Sequence, residues 1–315
     1  MTAASHKSTQ YWRVALKVLV LVLVFWYLFH KIEADGNSLR PILTNSLQEI
    51  SLWALFTFIL LATLNWLQEI AKWQQTVATF HKISFGEAAK QSLGSLTASL
   101  ITPNRIGEYG AKALYFRPKH RKKILFLNFV HSSFQMLVTV LFGLPAFVYF
   151  VLEYQISMNG EVFFLMGFII VLLAIIGYYF RKKQWFVKGL SIQNLWEQFK
   201  KITLSKKVTL FSLSALRYLT FSSLFYIFLN FFGASVTYLE VASLIFSMYL
   251  LVSVAPTFFI FDVVVRGGVA VWLFSYVAIP DMMVLATVFS MWLLNVVIPA
   301  IVGSYFVLTF KSQPS

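Results

Sequence analysis

The chain has 315 residues, 59% of them hydrophobic and 18% aromatic, with only 12% charged and a mean hydropathy of +0.74. A soluble globular domain is about half apolar and about a quarter charged, so this chain has too little polar surface to keep a compact body in water. An ordinary soluble enzyme, a disordered tail and a nucleic-acid-binding domain are excluded, which leaves a polytopic membrane protein. The formal net charge of +14 is spread over separate clusters: eight Lys or Arg lie between Arg181 and Lys207 against the single acid Glu197, and five more lie between Arg117 and Lys123. Basic clusters bordering apolar runs mark cytoplasmic loops and attraction to anionic lipid head groups. The absence of cysteine removes disulfides, thiolate metal sites and cysteine nucleophiles together.

The expected fold is therefore all-α: a polytopic transmembrane helical bundle, one integral membrane domain over 1–315, with about seven full spans. The first, 14–29, follows a polar, basic start carrying Lys7 and Arg13. No small-residue cleavage site follows it, so it reads as a retained helix rather than a signal peptide. Further spans are 50–67, 124–152 with Pro145 as a kink point, 162–180, 208–232, 241–260 and 282–310, the last interrupted by Pro299. Two of them are longer than a bilayer requires. The basic N-terminus, 68–123 and 181–207 read as cytoplasmic, and the base-free loops 153–161 and 233–240 as external. The expected location is a bacterial cytoplasmic membrane. Within the basic loop, Trp185, Phe186, Leu190, Leu195, Trp196, Phe199 and Ile202 recur at roughly helical spacing among lysines, predicting an amphipathic interfacial helix over about 184–203.

Two stretches are neither clean spans nor ordinary loops. In 92–116, a block of small residues (Ser92, Gly94, Ser95, Thr97, Ala98, Ser99) suits close helix packing. Its apolar run is half a bilayer long and stops at Pro103; Asn104, Arg105, Gly107, Glu108 and Gly110 follow before a helix can resume. A short helix, a break and a second short helix read as a re-entrant hairpin, which survives at membrane depth only where protein or a water-filled cavity satisfies its backbone. Arg105 and Glu108 share a face and can pair. The other reading is a cytoplasmic helix-turn-helix connector. In 254–278, Asp262 and Arg266 stand four apart in apolar sequence between a break at Pro256 and another at Gly267 and Gly268. Ionisable groups in such surroundings mark a pathway or a structural lock. The two stretches echo each other, each following a span that ends toward the cytoplasmic side, and predict two hairpins around one central cavity. Arg217, mid-span, needs a partner, with Glu108 or Asp262 the candidates. Asn128 and His131 read as interfacial.

The segment TPNRIGEYGAKAL (102–114) resembles the Pro–x–Arg–Ile/Leu–Gly–Glu signature, followed by a basic residue, of the membrane region of lysylphosphatidylglycerol synthases and their stand-alone, flippase-like relatives. Pro256 to Gly268 stands where the family carries a second, Gly-rich motif, but with Asp262, Arg266, Gly267 and Gly268 in place of its usual Pro-Gly-Gly pattern and Glu. The resemblance implies a helical bundle with re-entrant helices and lipid translocation between leaflets. The chain leaves no room after its last span for the soluble aminoacyl-transfer domain of the full-length synthases, so a non-enzymatic stand-alone member is expected. The implied partner is an anionic membrane lipid, a phospholipid or a polyprenyl-linked substrate, with no cofactor, metal or nucleic acid. Asn104, Arg105, Glu108, Lys112, Arg217, Asp262 and Arg266 are the candidate substrate-binding residues. The alternatives are a membrane enzyme acting on a lipid-linked sugar or phosphate, with Glu108 or Asp262 as general base, and a non-transporting subunit of a larger complex.

Overall fold

The computed structural model describes residues 50–100, 102, 106–156, 192–254 and 259–310, and every regular element among them is helical. In chain order these are α1 (Leu52–Val77), α2 (Phe85–Ser99), α3 (Gly107–Leu114), α4 (Arg121–Glu153), α5 (Ile192–Lys200), α6 (Leu204–Phe231), α7 (Tyr238–Val254), α8 (Phe259–Phe274), α9 (Asp281–Trp292) and α10 (Ile298–Leu308). A π-helical turn, Leu293–Val297, joins α9 to α10 without a gap. Four helices are long and apolar enough to cross a membrane: α1, α4 with its preceding 3₁₀ turn, α6, and the continuous α9–α10 rod. The expectation of about seven spans is thus corrected to four among the described residues. The expected spans 14–29 and 162–180 lie outside those residues. The expected span 241–260 is realised as α7, whose 17 residues reach only about 25 Å at the rise of an α-helix, short of a hydrocarbon core of about 30 Å.

Four long apolar helices suggest an integral membrane protein, and the distribution of side chains agrees. Phe56 and Ile59 on α1, Leu137, Leu141 and Leu144 on α4, and Ile301, Val302 and Tyr305 on α10 are exposed, whereas Lys72, Lys112 and His131 are buried. Water reverses that preference, since large apolar patches are rare on soluble monomers and buried lysines rarer still.

Local chemistry sets the element ends. Ser51 caps α1 by accepting from the Ala54 N–H at 3.1 Å. Ser84 and Glu87 form a reciprocal capping box at the start of α2. Gly233, at φ +99°, turns the chain from α6 into α7. α4 continues through Pro145. Val77, Ala88, Phe116, Ile124, Ile202 and Leu210 share one buried cluster, so the end of α1 and the starts of α2, α4 and α6 meet at one end of the bundle. Phe150, Phe232, Phe274 and Ile279 belong to a second cluster toward the opposite end. Charge segregates in the same way. Lys82, Lys90, Arg117, Lys119, Arg121, Lys122, Lys123, Lys200, Lys201, Lys206 and Lys207 gather at the first end with Glu87 and Glu197. Glu153, Glu240 and Asp281 lie at the second, without a Lys or Arg among the described residues.

Between the long helices lie two helical hairpins. α2 runs inward from the basic end and α3, packed against it, returns there. α7 runs inward from the acidic end, and α8 returns to that end, where Trp272 and Tyr276 pack edge-on against Phe150 of α4. The hairpins therefore enter from opposite ends, not both from the cytoplasmic side as the sequence pattern implied. Gly107 is a true break: it opens α3, and its N–H donates to Thr102 Oγ1 at 2.9 Å. Gly110 lies inside α3, and Gly267 and Gly268 lie inside α8, so these three are not breaks. A glycine keeps its helical backbone hydrogen bonds, and at Gly267 the missing Cβ admits Leu285 of α9. Pro103, Asn104, Arg105 and Pro256 lie outside the described residues. Where an amphipathic helix was expected, α5 stands. Leu195 and Phe199 turn into the bundle, and Trp196 stays 57% exposed beneath the Lys200 ammonium at 5.5 Å. The 184–191 half of the prediction lies outside the described residues.

A close backbone contact seats α2 on α10. A Cβ on Gly303 would collide with the Leu93 carbonyl and the Thr97 hydroxyl, and that hydroxyl donates to the Ala300 carbonyl at 2.8 Å. We predict that Gly303→Leu forces these helices apart and destabilises the protein by about 1–3 kcal/mol or more, read as a fall in the thermal unfolding midpoint in detergent. Gly110→Ala meets nothing within 4 Å and should leave the midpoint unchanged or raise it, with a stability gain of up to about 1 kcal/mol.

Candidate functional site

The helical period of α1 runs on past its apolar stretch. Asn65, Glu69, Lys72 and Thr76 recur at four- and three-residue steps and so line one stripe of the helix, which turns into the bundle. Glu69 is the hub. Its carboxylate meets Lys72 Nζ at 3.1 Å, His131 Nε2 of α4 at 2.7 Å and Arg217 of α6 at 3.2 Å. Because a carboxylate only accepts, His131 Nε2 carries the proton in this bond. Gln135, one turn beyond His131, accepts through Oε1 from both Lys72 Nζ at 3.2 Å and Arg217 at 3.1 Å, which tolerates two like charges side by side.

A second ion pair lies on α3. Lys112 Nζ contacts Glu108 at 2.6 Å, donates to Asn128 Oδ1 at 3.0 Å and sits 4.2 Å above the Trp73 ring. Trp73 in turn donates to Gln91 of α2 at 2.8 Å and meets the His131 ring edge-on at 5.6 Å. The third pair is on α8, where Arg266 donates to both Asp262 oxygens at 3.2 Å, with its guanidinium 5.4 Å from the Tyr249 ring of α7.

All three pairs border one cavity of about 450 Å³ in the middle of the bundle, lined among others by Glu69, Thr102, Glu108, Arg217, Asp262 and Arg266. Both hairpins reach it, through Thr102 and Glu108 from one end and through Val252, Ser253, Asp262 and Arg266 from the other. Of the candidate residues, Glu108, Arg217, Asp262 and Arg266 line this one cavity. Lys112 lies behind Glu108, fully buried and not on the cavity wall. Glu108 pairs with Lys112, and its expected partner Arg105 lies outside the described residues. Two expectations need correction. Arg217 pairs with Glu69 instead of Glu108 or Asp262. Asn128 and His131 are 0% and 2% exposed core groups bound to Lys112 and Glu69 rather than interfacial residues. Sequence reasoning missed Glu69, Lys72, Gln135, Asn65 and Asn295. The signal for the first two was the 65, 69, 72, 76 period, which places polar groups inside a helix whose apolar run ends at Leu67.

Among the described residues, the three carboxylates of these pairs face four basic side chains, Lys72, Lys112, Arg217 and Arg266. Counted in their ionised forms these described groups carry one more positive than negative charge, and only the two guanidiniums reach the wall. Among the described residues no group of His, Asp and Glu is placed to hold a metal ion. The arrangement suits binding of a single-charged anion.

Breaking a buried pair leaves an uncompensated charge. We predict that Lys112→Met lowers unfolding stability by about 3–5 kcal/mol, and that Glu108→Gln added to it recovers much of the loss. A double-mutant cycle of denaturation midpoints in detergent measures this, and additive losses would show that the pair is not coupled.

Comparison with known proteins finds no family and no curated protein that matches this chain.

Proposed function

We propose that the chain is a flippase-type lipid transporter, which moves an anionic phospholipid or a polyprenyl-linked anionic substrate between the leaflets of a bacterial cytoplasmic membrane. The observation that carries this reading is the cavity between span-length helices, with Arg217 and Arg266 on its wall. Ionisable groups kept inside an apolar bundle are costly, and function is the ordinary reason for retaining them. A guanidinium presents a planar fork of donors matched to phosphate. Glu69 and Asp262 hold the two arginines in place while the site is empty, and the head-group phosphate takes over those contacts when it binds. A volume of about 450 Å³ lies within the range of small-ligand sites and accommodates a head group while the acyl or prenyl chains stay in lipid.

The two hairpins support the same reading. Taken as re-entrant segments, they approach the cavity from opposite membrane faces, the layout of transporters whose sites lie at discontinuous helices near the midplane. The likeness of residues 102–114 to the membrane region of lysylphosphatidylglycerol synthases is consistent with it. By the positive-inside rule, the end holding Lys82, Arg117, Lys119 and Lys200 faces the cytoplasm, and the end holding Glu153, Glu240 and Asp281 faces outward.

In vesicles reconstituted with the protein, a fluorescent phosphatidylglycerol or polyprenyl phosphate should cross between leaflets faster than in protein-free vesicles. Arg217→Ala and Arg266→Ala should each slow that movement at least about tenfold, the weight of one charge-assisted contact. No acceleration with either substrate, or full rates in both variants, removes the reading. The cysteine-free background tests orientation directly. An impermeant maleimide should label Glu153→Cys in intact cells and Lys119→Cys only after lysis; the reverse pattern inverts the topology.

A further inference from the structure

The two arginines on the cavity wall are held in different ways. Arg217 is tied to two other helices, to Glu69 of α1 at 3.2 Å and to Gln135 of α4 at 3.1 Å. Arg266 has its carboxylate partner, Asp262, on its own helix. An ion pair at a four-residue step supports α8 but does not fix the guanidinium relative to the rest of the bundle. An arginine side chain has much rotamer freedom to lose, so a contact from another helix is needed to keep its fork at the cavity.

Tyr249 of α7 makes that contact. Its ring centre lies 5.4 Å from the guanidinium, within the range of a cation–π attraction, and its hydroxyl hydrogen-bonds the same group. Tyr249 is itself held by aromatic packing on α6. Phe221 meets it edge-on at 4.5 Å, and Phe225 and Tyr218 lie at 6.3 and 6.1 Å. Tyr249 is 9% exposed, and both it and Phe221 border the cavity. Arg217 stands one helical turn before Phe221, about 6 Å along α6. Helix α6 therefore carries one arginine directly and places the other through Phe221 and Tyr249.

We infer that Tyr249 is a positioning residue for anion binding: it holds the Arg266 fork at the cavity, and its effect on an anionic head group runs through that arginine. This rests on the anionic-lipid reading above. In the test, short-chain phosphatidylglycerol is titrated against the purified full-length protein in detergent. Arg266→Ala should weaken binding about tenfold, and Tyr249→Leu by a similar factor. Tyr249→Phe, which keeps the ring, should stay within about threefold of the unaltered protein. In the Arg266→Ala background, Tyr249→Leu should change the affinity by less than about threefold, because the arginine it positions is gone. A residue that only supports the fold would weaken binding with or without Arg266. Should Tyr249→Leu fail to fold, Tyr249→Met, whose flexible side chain fills irregular gaps, carries the same comparison. Full affinity in Tyr249→Leu, or a tyrosine effect of about tenfold that persists without Arg266, overturns the inference and leaves the anionic-lipid reading standing. Full affinity in Arg266→Ala overturns it as well, and no binding by the unaltered protein removes both.

Discussion

The Glu69 carboxylate is the interaction on which the bundle depends. An ionised carboxylate away from water is tolerated only with charged partners and hydrogen bonds around it, and here those partners come from α1 itself, α4 and α6. Meeting at one point fixes the rotation of these three long helices relative to each other, since a turn of any one of them would strand a charge. Gln135 closes the arrangement by accepting from two cations at once. The short hairpin α2–α3 is docked onto the same structure: Lys112 lies over Trp73, one residue beyond Lys72, while Trp73 holds Gln91. Outside this polar interior the helices present leucine, isoleucine and phenylalanine, so the bundle is organised from its charges outward.

The α9–α10 rod solves a different problem. Pro299 has no N–H, so the Asn295 carbonyl lacks the donor that an α-helix would supply four residues on. The backbone answers with a π turn, in which the Ile298 N–H reaches back to Leu293, and the Trp66 indole of α1 donates to the Asn295 carbonyl at 3.1 Å. π turns of this kind are frequent at functional sites. Here the turn keeps a long helix continuous while directing the polar end of Asn295 sideways into the bundle. The proline is thus accommodated within one continuous helical run, Asp281–Leu308.

Much of the architecture was legible in the sequence, and the failures have definite physical causes. Long apolar runs around residues 52–67, 124–152, 208–231 and 282–308 became span-length helices because nothing else buries such runs. The small residues of 92–99 did mark a close helix contact, made with Gly303. The pair Asp262–Arg266 was readable because a four-residue step in a helix needs no tertiary information. By contrast, Glu69 and Lys72 were hidden because hydropathy ends where their helix does not. Partner choice was also beyond reach: Arg217 lies 148 positions from Glu69, and only the packing of α1 against α6 brings them within 3.2 Å. The glycines at 110, 267 and 268 misled because glycine weakens a helix without ending it when neighbouring helices pack around it.

The seat of α2 joins distant parts of the chain. The Thr97 hydroxyl is held by the carbonyl of Ala300, 203 residues later in the chain, and Gly303 provides the opening against which α2 lies. The first hairpin already has partners on α1 and α4, through Trp73 with Gln91 and Lys112 with Asn128, but its opposite face is covered, among the described residues, only by the last helix of the chain. Residues near both ends of the described chain are therefore needed to enclose α2 completely.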